Sequence, residues 1–450
     1  MNKQNNANGK KILFANFPGD GHFNPLTGLA VHLKNAGYDV RWYSSSQFAP
    51  KLEKMQIHHY PFVKALELTG DNMEEVFPER KKAKSVTAKL RHDIINAFIK
   101  RGEEYYEDIK AIRKEFSFDL LVADCAFTGI PFVKHLLKVP VVAIGVFPLT
   151  ESSKDLAPAG LGVEPSYTLF GKIKMAILRQ AAKHIIFKKP DMVLHKILDS
   201  YNIPHNRESV FDMLVKQSDL LLQSGSPSFE YKRSDMSKNV KFIGALLPYS
   251  IKKQHNRWFD ERLNQYKKVV LVTQGTVEKD VNKILVPTLE AFKNTDTLVV
   301  CTTGGSQTST LKEKYPHQNI IVEDFIAFDD VMPYTDVYIT NGGYGGVMLG
   351  IENKLPMVVA GVHEGKNEIC ARIGYFKYGV NLKTEKPLPS QIKAAVEKII
   401  ADDTYSKNIN RLAKELSEYD PEQLTEKYVS SLLSLNVFRN APAAYASASN

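Results

Sequence analysis

A strand that stops at a glycine-rich turn and opens straight into a helix leaves a chain few folds to choose from. Residues 337–346 read VYITNGGYGG. The apolar, β-rich VYIT is followed by Asn341, Gly342, Gly343, Tyr344, Gly345 and Gly346, and then by a helix-like run ending near Pro356. The first N–H groups of such a helix have no partner within it, and together with the helix dipole they make an anion site. Glycines carry no Cβ, so a phosphate could approach the backbone closely. The same glycines would equally serve a bare strand–helix turn without a ligand.

The turn belongs to a pattern that runs through the whole chain. Residues 11–17, 39–43, 120–123, 140–146, 219–223 and 240–244 read as strands in the first half. Residues 269–273, 297–302, 319–322, 336–340 and 356–360 read as strands in the second, with helix-like runs between them. Uniformly apolar strands alternating with helices predict parallel sheets covered on both faces. A chain of 450 residues should form two or three domains. Residues 248–266 are polar and lack apolar periodicity, which makes them the expected linker. The expected domains are residues 1–247 and 267–437, the second closing on a helix through Leu424, Tyr428, Leu432 and Leu433. Residues 438–450 are small and polar and are expected to be a disordered tail. Two such domains in tandem place a cleft between their facing strand ends.

Composition narrows the function classes. The chain is 43% hydrophobic and 24% charged, as in ordinary soluble proteins, and has no apolar run of membrane-spanning length. Its polar first residues are unlike a secretory signal, and Cys125, Cys301 and Cys370 lie far apart in apolar segments. Buried, reduced thiols and a cytoplasmic location are expected. The net charge of +9 lies entirely in residues 1–250, with 35 Lys and Arg against 26 Asp and Glu. No nucleic-acid module accompanies it, so no nucleic-acid partner is expected. Residues 167–189 mix apolar and basic side chains. They suit a lid over a pocket, plain packing, or a weak peripheral contact with anionic lipid.

The first strand, KILFANF, runs into PGDGHFNP at residues 18–25, and a helix reads from Pro25 with Leu26, Leu29, Ala30 and Leu33 on one face. This βαβ opening invites a dinucleotide reading, which fails twice. The third glycine of the fingerprint is Asn24, and the second strand ends in YSSS without a carboxylate for a ribose. What remains is His22, just beyond the carboxyl end of the first strand, where open α/β sheets bind ligands. Asp124 sits at the carboxyl end of another apolar strand. If both strands share a sheet, the carboxylate could fix the imidazole tautomer and stabilise its cation. Asp124 could instead simply cap the next helix.

These residues together resemble the nucleotide-sugar-dependent glycosyltransferases of the two-Rossmann-domain, or GT-B, type. More narrowly, they resemble the UDP-glycosyltransferase (GT1) family acting on small lipophilic acceptors. The likeness covers nearly the whole chain. It rests on Gly21-His22 with Asp124, on Val322 to Phe325, on the Thr340 to Gly346 turn, and on Pro356 to Glu364. The resemblance implies an α/β fold of two Rossmann-like doubly wound domains, the first for the acceptor and the second for a UDP-sugar, with glucose as the expected sugar. It implies His22 as general base and Asp124 as its orienter. The implied donor-binding set is Gly21, Gly275, Thr276, Phe325, Asn341 to Gly346, Glu364 and Lys366, with Phe325 stacking on uracil. It implies an inverting, metal-independent transfer to a phenolic, flavonoid, sterol or macrolide hydroxyl. The co-substrate is then the only small molecule needed besides the acceptor, and a monomer is expected.

Several positions depart from the family pattern. Asn341 stands where His is common. Leu349 stands where an acidic residue holds ribose, with Glu352 a turn further on. Gly365-Lys366, flanked by Glu364 and Glu368, replaces the Asp-Gln pair that holds sugar hydroxyls. Asp329-Asp330 and Asp402-Asp403 are adjacent pairs whose side chains diverge on a helix, so no metal site is expected. A nucleotide-sugar epimerase or hydrolase of the same two-domain fold is the alternative enzyme, and a peripheral membrane-binding protein is the alternative without catalysis.

Overall fold

The structure, a computed structural model, describes residues 9–69, 72–249, 257–275, 278–363 and 365–440. Two parallel sheets form the frame. The first comprises β1 (Lys11–Ala15), β2 (Asp39–Ser44), β3 (His58–Pro61), β4 (Leu120–Asp124), β5 (Val141–Gly145), β6 (Leu220–Ser224) and β7 (Val240–Gly244). Its order is β3-β2-β1-β4-β5-β6-β7. The second comprises β8 (Lys268–Thr273), β9 (Thr297–Thr302), β10 (Ile320–Glu323), β11 (Val337–Thr340), β12 (Met357–Val359) and β13 (Gly379–Asn381), in the order β10-β9-β8-β11-β12-β13.

In both sheets the chain turns back at the first strand, so β1 lies between β2 and β4, and β8 lies between β9 and β11. Such a switch point opens a crevice at the carboxyl edge of the strands. Every residue of β4, β5 and β9 is buried, in keeping with sheets covered on both faces. Strands β3 and β13 were not expected from the sequence. HHYP and GVN carry no apolar run, and both lie at sheet edges, where one face and one ladder suffice.

The helix expected from Pro25 starts five residues earlier, at Asp20, and runs to Asn35. Proline inside a helix lacks one N–H and crowds the carbonyl four residues back. Here that residue is Gly21, and the helix runs on through the proline. His22 therefore stands in the first helical turn, not in a loop.

The last helix, Pro421–Asn440, returns to the first sheet. It contacts the Asp20–Asn35 helix and β7, and Val429 and Leu433 are buried in the core around β1. Glu426 sits 2.8 Å from His32 Nε2. The helix includes residues 438–440, and the rest of the expected tail, 441–450, lies outside the described residues. So do residues 250–256 of the expected linker, while Leu263 within that stretch is buried in the second core.

Candidate active site

Strand register explains how two residues 102 positions apart meet. Ala15 pairs with Ala123 across β1 and β4, so both strands end level. Gly19 is extended, with φ −146°, and the helix begins immediately after it. His22 Nδ1 then lies 2.7 Å from Asp124 Oδ1. The carboxylate accepts two further hydrogen bonds, from the Phe17 N–H at 2.6 Å and the Ala126 N–H at 2.9 Å. Asp124 is fully buried, whereas the His22 side chain is 21% exposed. With the carboxylate ionised and the imidazole neutral, Nδ1 is the nitrogen that carries the hydrogen and Nε2 the one that keeps its lone pair.

Two aromatic rings flank this imidazole and a third backs one of them, none of them singled out by the sequence. Phe17 meets it edge-on at 5.1 Å and Phe147 at 6.1 Å. Phe98 stacks on Phe17 at 4.3 Å, with the planes 5° apart. Phe17 and Phe147 each follow the end of a strand, β1 and β5, and that position was a usable signal. Phe98 lies on a π-helical turn, Ile94–Ile99, which no sequence periodicity reveals.

The second half of the site is the turn after β11. The Tyr344–Glu352 helix starts directly behind Gly343. Gly342 has φ +78°, and a Cβ there would lie 2.4 Å from the Cys370 sulfur, so only glycine fits without strain. Burial pushes the Cys370 thiol up to about 12, which keeps it a neutral packing group beneath the turn. Asn341 donates from Nδ2 to the Gln274 carbonyl at 2.5 Å and accepts the Gly343 N–H at 3.3 Å. Its amide thus ties the ends of β8 and β11 together, and Gly275 stands beside it with φ +76°.

Other predicted residues divide into those near this turn and those elsewhere. Phe325 is 69% exposed, and its ring lies 3.8 Å from where a Cβ on Gly305 would stand. Lys366 opens the Lys366–Tyr375 helix and lines a depression with Asn341, Gly361, Glu278, Lys283 and Glu385. Gly345 is exposed, and Gly346 approaches the Tyr338 hydroxyl. The Tyr344 side chain points away from the turn: its hydroxyl donates to the Ser224 carbonyl at 2.7 Å, across to β6. Thr276 and Glu364 lie outside the described residues.

The two turns face a common interface. The helix bearing His22 contacts the helix opened by the glycine turn. Buried Arg372 donates to Glu230 at 2.8 Å and to Glu368 at 3.0 Å. Burial works against its charge, but those two carboxylates outweigh it and hold the pKa up. Glu368 also accepts the N–H groups of Gly160 and Gly162 at 2.9 and 2.7 Å, so the loop after β5 is fastened to the second domain. The sequence noted Glu368 only as a flanking carboxylate and did not single out Arg372. Among the described residues no group of three or more His, Cys, Asp or Glu could hold a metal.

A fold of two parallel-sheet domains is shared with known proteins. The sequence profile described as "UDP-glucoronosyl and UDP-glucosyl transferase" matches residues 54–421. The chain belongs to this family. It is 32% identical over 413 residues to 4'-demethylrebeccamycin synthase of Lentzea aerocolonigenes, covering 92% of this chain and 97% of that protein. It is 27% identical over 440 residues to UDP-glucosyltransferase 1 of Beauveria bassiana, covering 93% and 94%. The crystal structure of the calicheamicin glycosyltransferase CalG4 superposes with a TM-score of 0.70 at 18% identity, covering 96% of this chain and 99% of that one. The expected GT-B architecture and glycosyltransferase class are therefore those of this protein.

Proposed function

We propose that this glycosyltransferase moves glucose from UDP-glucose, with inversion, to a hydroxyl of a small lipophilic natural product, and that His22 is the general base. The observation that carries this reading is the buried Asp124 carboxylate on His22 Nδ1, which leaves Nε2 with its lone pair. In direct attack the acceptor oxygen bonds to the anomeric carbon while the sugar–phosphate bond breaks, and the hydroxyl proton passes to Nε2. Asp124 stabilises the imidazolium that results. A positioned base of this kind supplies on the order of 10²–10⁴-fold in rate. Phe17 and Phe147 beside the imidazole, with Phe98 stacked on Phe17, suit a flat, apolar acceptor.

The leaving diphosphate would meet the free N–H groups at the start of the Tyr344–Glu352 helix, arranged before the reaction begins. Asn341 acts in this reading by fixing the turn rather than by bonding phosphate, and Phe325 is the exposed ring for uracil. Lys366 offers the cation that the departing sugar or phosphate would meet. Free, buried Cys125, Cys301 and Cys370 fit work in the cytoplasm. The relatives named 4'-demethylrebeccamycin synthase and UDP-glucosyltransferase 1 support a natural-product acceptor and a glucosyl donor.

The test is a mass-spectrometric screen of nucleotide sugars against phenols, flavonoids, sterols and macrolides, run on the parent and on His22→Ala. The expected result is a hexose adduct. In His22→Ala, turnover should return for acidic phenols as pH rises and stay minimal for aliphatic alcohols, because an ionised phenol needs no base. Equal loss for all acceptors, or no loss, would remove His22 as the base. Full-rate UDP-sugar breakdown without acceptor would replace the transferase reading by a hydrolase.

A further inference from the structure

The Leu169–Ala181 helix and the π-helical turn that continues it, Ala182–Ile186, have two faces of different character. Gly171, Met175 and Ala182 are buried, Ala182 in a cluster with Phe187, Leu194 and Leu198. The opposite face carries Leu169, Phe170, Ile173, Ile177 and Ile185, which are 73%, 84%, 50%, 63% and 65% exposed. Phe170, Ile173 and Ile177 follow one another at i, i+3 and i+7, so they form a single stripe along the helix. A helical surface normally turns such residues inward, and a contiguous exposed stripe marks something that covers it.

Charge says what that cover is. Lys172, Lys174, Lys183, Lys188 and Lys189 are all exposed on this segment and the start of the next helix, Lys188–Ser200. From residue 165 to 190 the chain has no Asp or Glu. None of the five lysines is in an ion pair among the described residues. An exposed apolar stripe flanked by unpaired lysines matches an anionic bilayer, with acyl chains for the stripe and headgroups for the ammonium groups. A second copy of the chain would bring its own lysines against these, and a neutral apolar ligand would leave them unanswered. No helix among the described residues is long and apolar enough to cross a membrane, so the contact is interfacial.

We infer that this protein docks peripherally on anionic phospholipid through the exposed face of residues 169–189. The docking is separate from the chemistry at His22 and does not depend on the identity of donor or acceptor. It would hold the enzyme at the surface into which lipophilic compounds partition.

The experiment is co-sedimentation of the full chain with sucrose-loaded vesicles, of phosphatidylcholine alone or of phosphatidylcholine containing phosphatidylglycerol. Two double variants accompany the parent: Phe170→Ser with Ile177→Ser, and Lys172→Gln with Lys174→Gln. All four side chains project into solvent, and circular dichroism checks that the fold is kept. Binding is expected only with phosphatidylglycerol, and it should weaken with salt. Each lysine is worth about fivefold in partitioning near an anionic surface, so the lysine pair should lower it on the order of tenfold or more. The apolar pair should lower it by at least about tenfold. Turnover of a water-soluble phenol without vesicles should be unchanged in both variants. The inference is overturned by absence of binding, by equal binding to neutral vesicles, or by binding that both variants retain. It is equally overturned by a dimer that the apolar variant dissolves, or by loss of vesicle-free turnover, which would assign the stripe to the acceptor site.

Discussion

Asp124→Asn exchanges one oxygen for an amide nitrogen and separates two tasks of one carboxylate. Oδ1 accepts from His22 and the Ala126 N–H, and Oδ2 accepts from the Phe17 N–H, and the carboxylate itself is fully buried. An asparagine offers a single acceptor oxygen. With that oxygen at the Oδ1 position, its NH2 faces the Phe17 N–H. Turned round, the NH2 faces the Ala126 N–H and drives His22 into the other tautomer. Either way one buried N–H loses its acceptor, which costs about 1–3 kcal/mol of stability. His22→Ala leaves both backbone groups satisfied, and losing one partly exposed hydrogen bond costs about 0.5–1.5 kcal/mol. Both variants should nevertheless lose turnover on the order of 10²–10⁴-fold, because the base is absent in one and, in the other, is either misdirected or left without a charge to stabilise its cation. UDP affinity should stay at the parental value, since the proposed diphosphate and uracil contacts lie in the other domain. Urea unfolding, calorimetric titration of UDP and acceptor-dependent product formation measure the three quantities. If Asp124→Asn is destabilised yet keeps parental turnover, the carboxylate only scaffolds the turn after β1, and the catalytic reasoning is refuted.

Four further outcomes are expected. Phe325→Ala should weaken UDP binding about five- to hundredfold, the worth of one base stacked on an aromatic ring, while an exposed ring costs little stability; unchanged calorimetric affinity would place the uracil elsewhere. Turnover should persist in excess EDTA if, as proposed, helix N–H groups meet the leaving charge; loss that Mg²⁺ restores would contradict this. Gly342→Ala should cost about 1–3 kcal/mol through its positive φ and the Cys370 contact, and Cys370→Ala should relieve part of that; a Gly342→Ala protein as stable as the parent would show that the turn is not held as described. Burial lowers the pKa of His59 and of His135 below the ordinary 6.5, so below that value the unfolded chain binds more protons than the folded one. Their contribution is complete above pH 6.5 and falls as pH drops towards the folded values; His59→Gln with His135→Gln should flatten that part of the urea-stability profile, and an unchanged profile would rule the pair out.

The glycine turn, the apolar strands and the position of His22 at a strand end could be read directly from the chain. Each depends on local chemistry: missing Cβ atoms, burial on both faces of a sheet, a helix start. The departures at Asn341 and Gly365-Lys366 were visible too, but their consequence was not. That Asn341 bonds Gln274 depends on β8 and β11 being neighbours, which no local pattern states.

The sequence by itself determined the fold class, the two-domain plan and the residue types available for chemistry, because hydrophobic period and glycine placement act within a few residues. Tertiary structure decided which of them meet. Sheet order set β4 beside β1 and so put Asp124 on His22. The π-helical turn turned Phe98 onto Phe17, and helix packing carried residues 421–440 back to the first domain. It also left one apolar stripe, residues 169–185, facing outward although its composition equally suited a buried helix. Apolar periodicity specifies that a face will be covered, and only the arrangement of distant elements specifies by what.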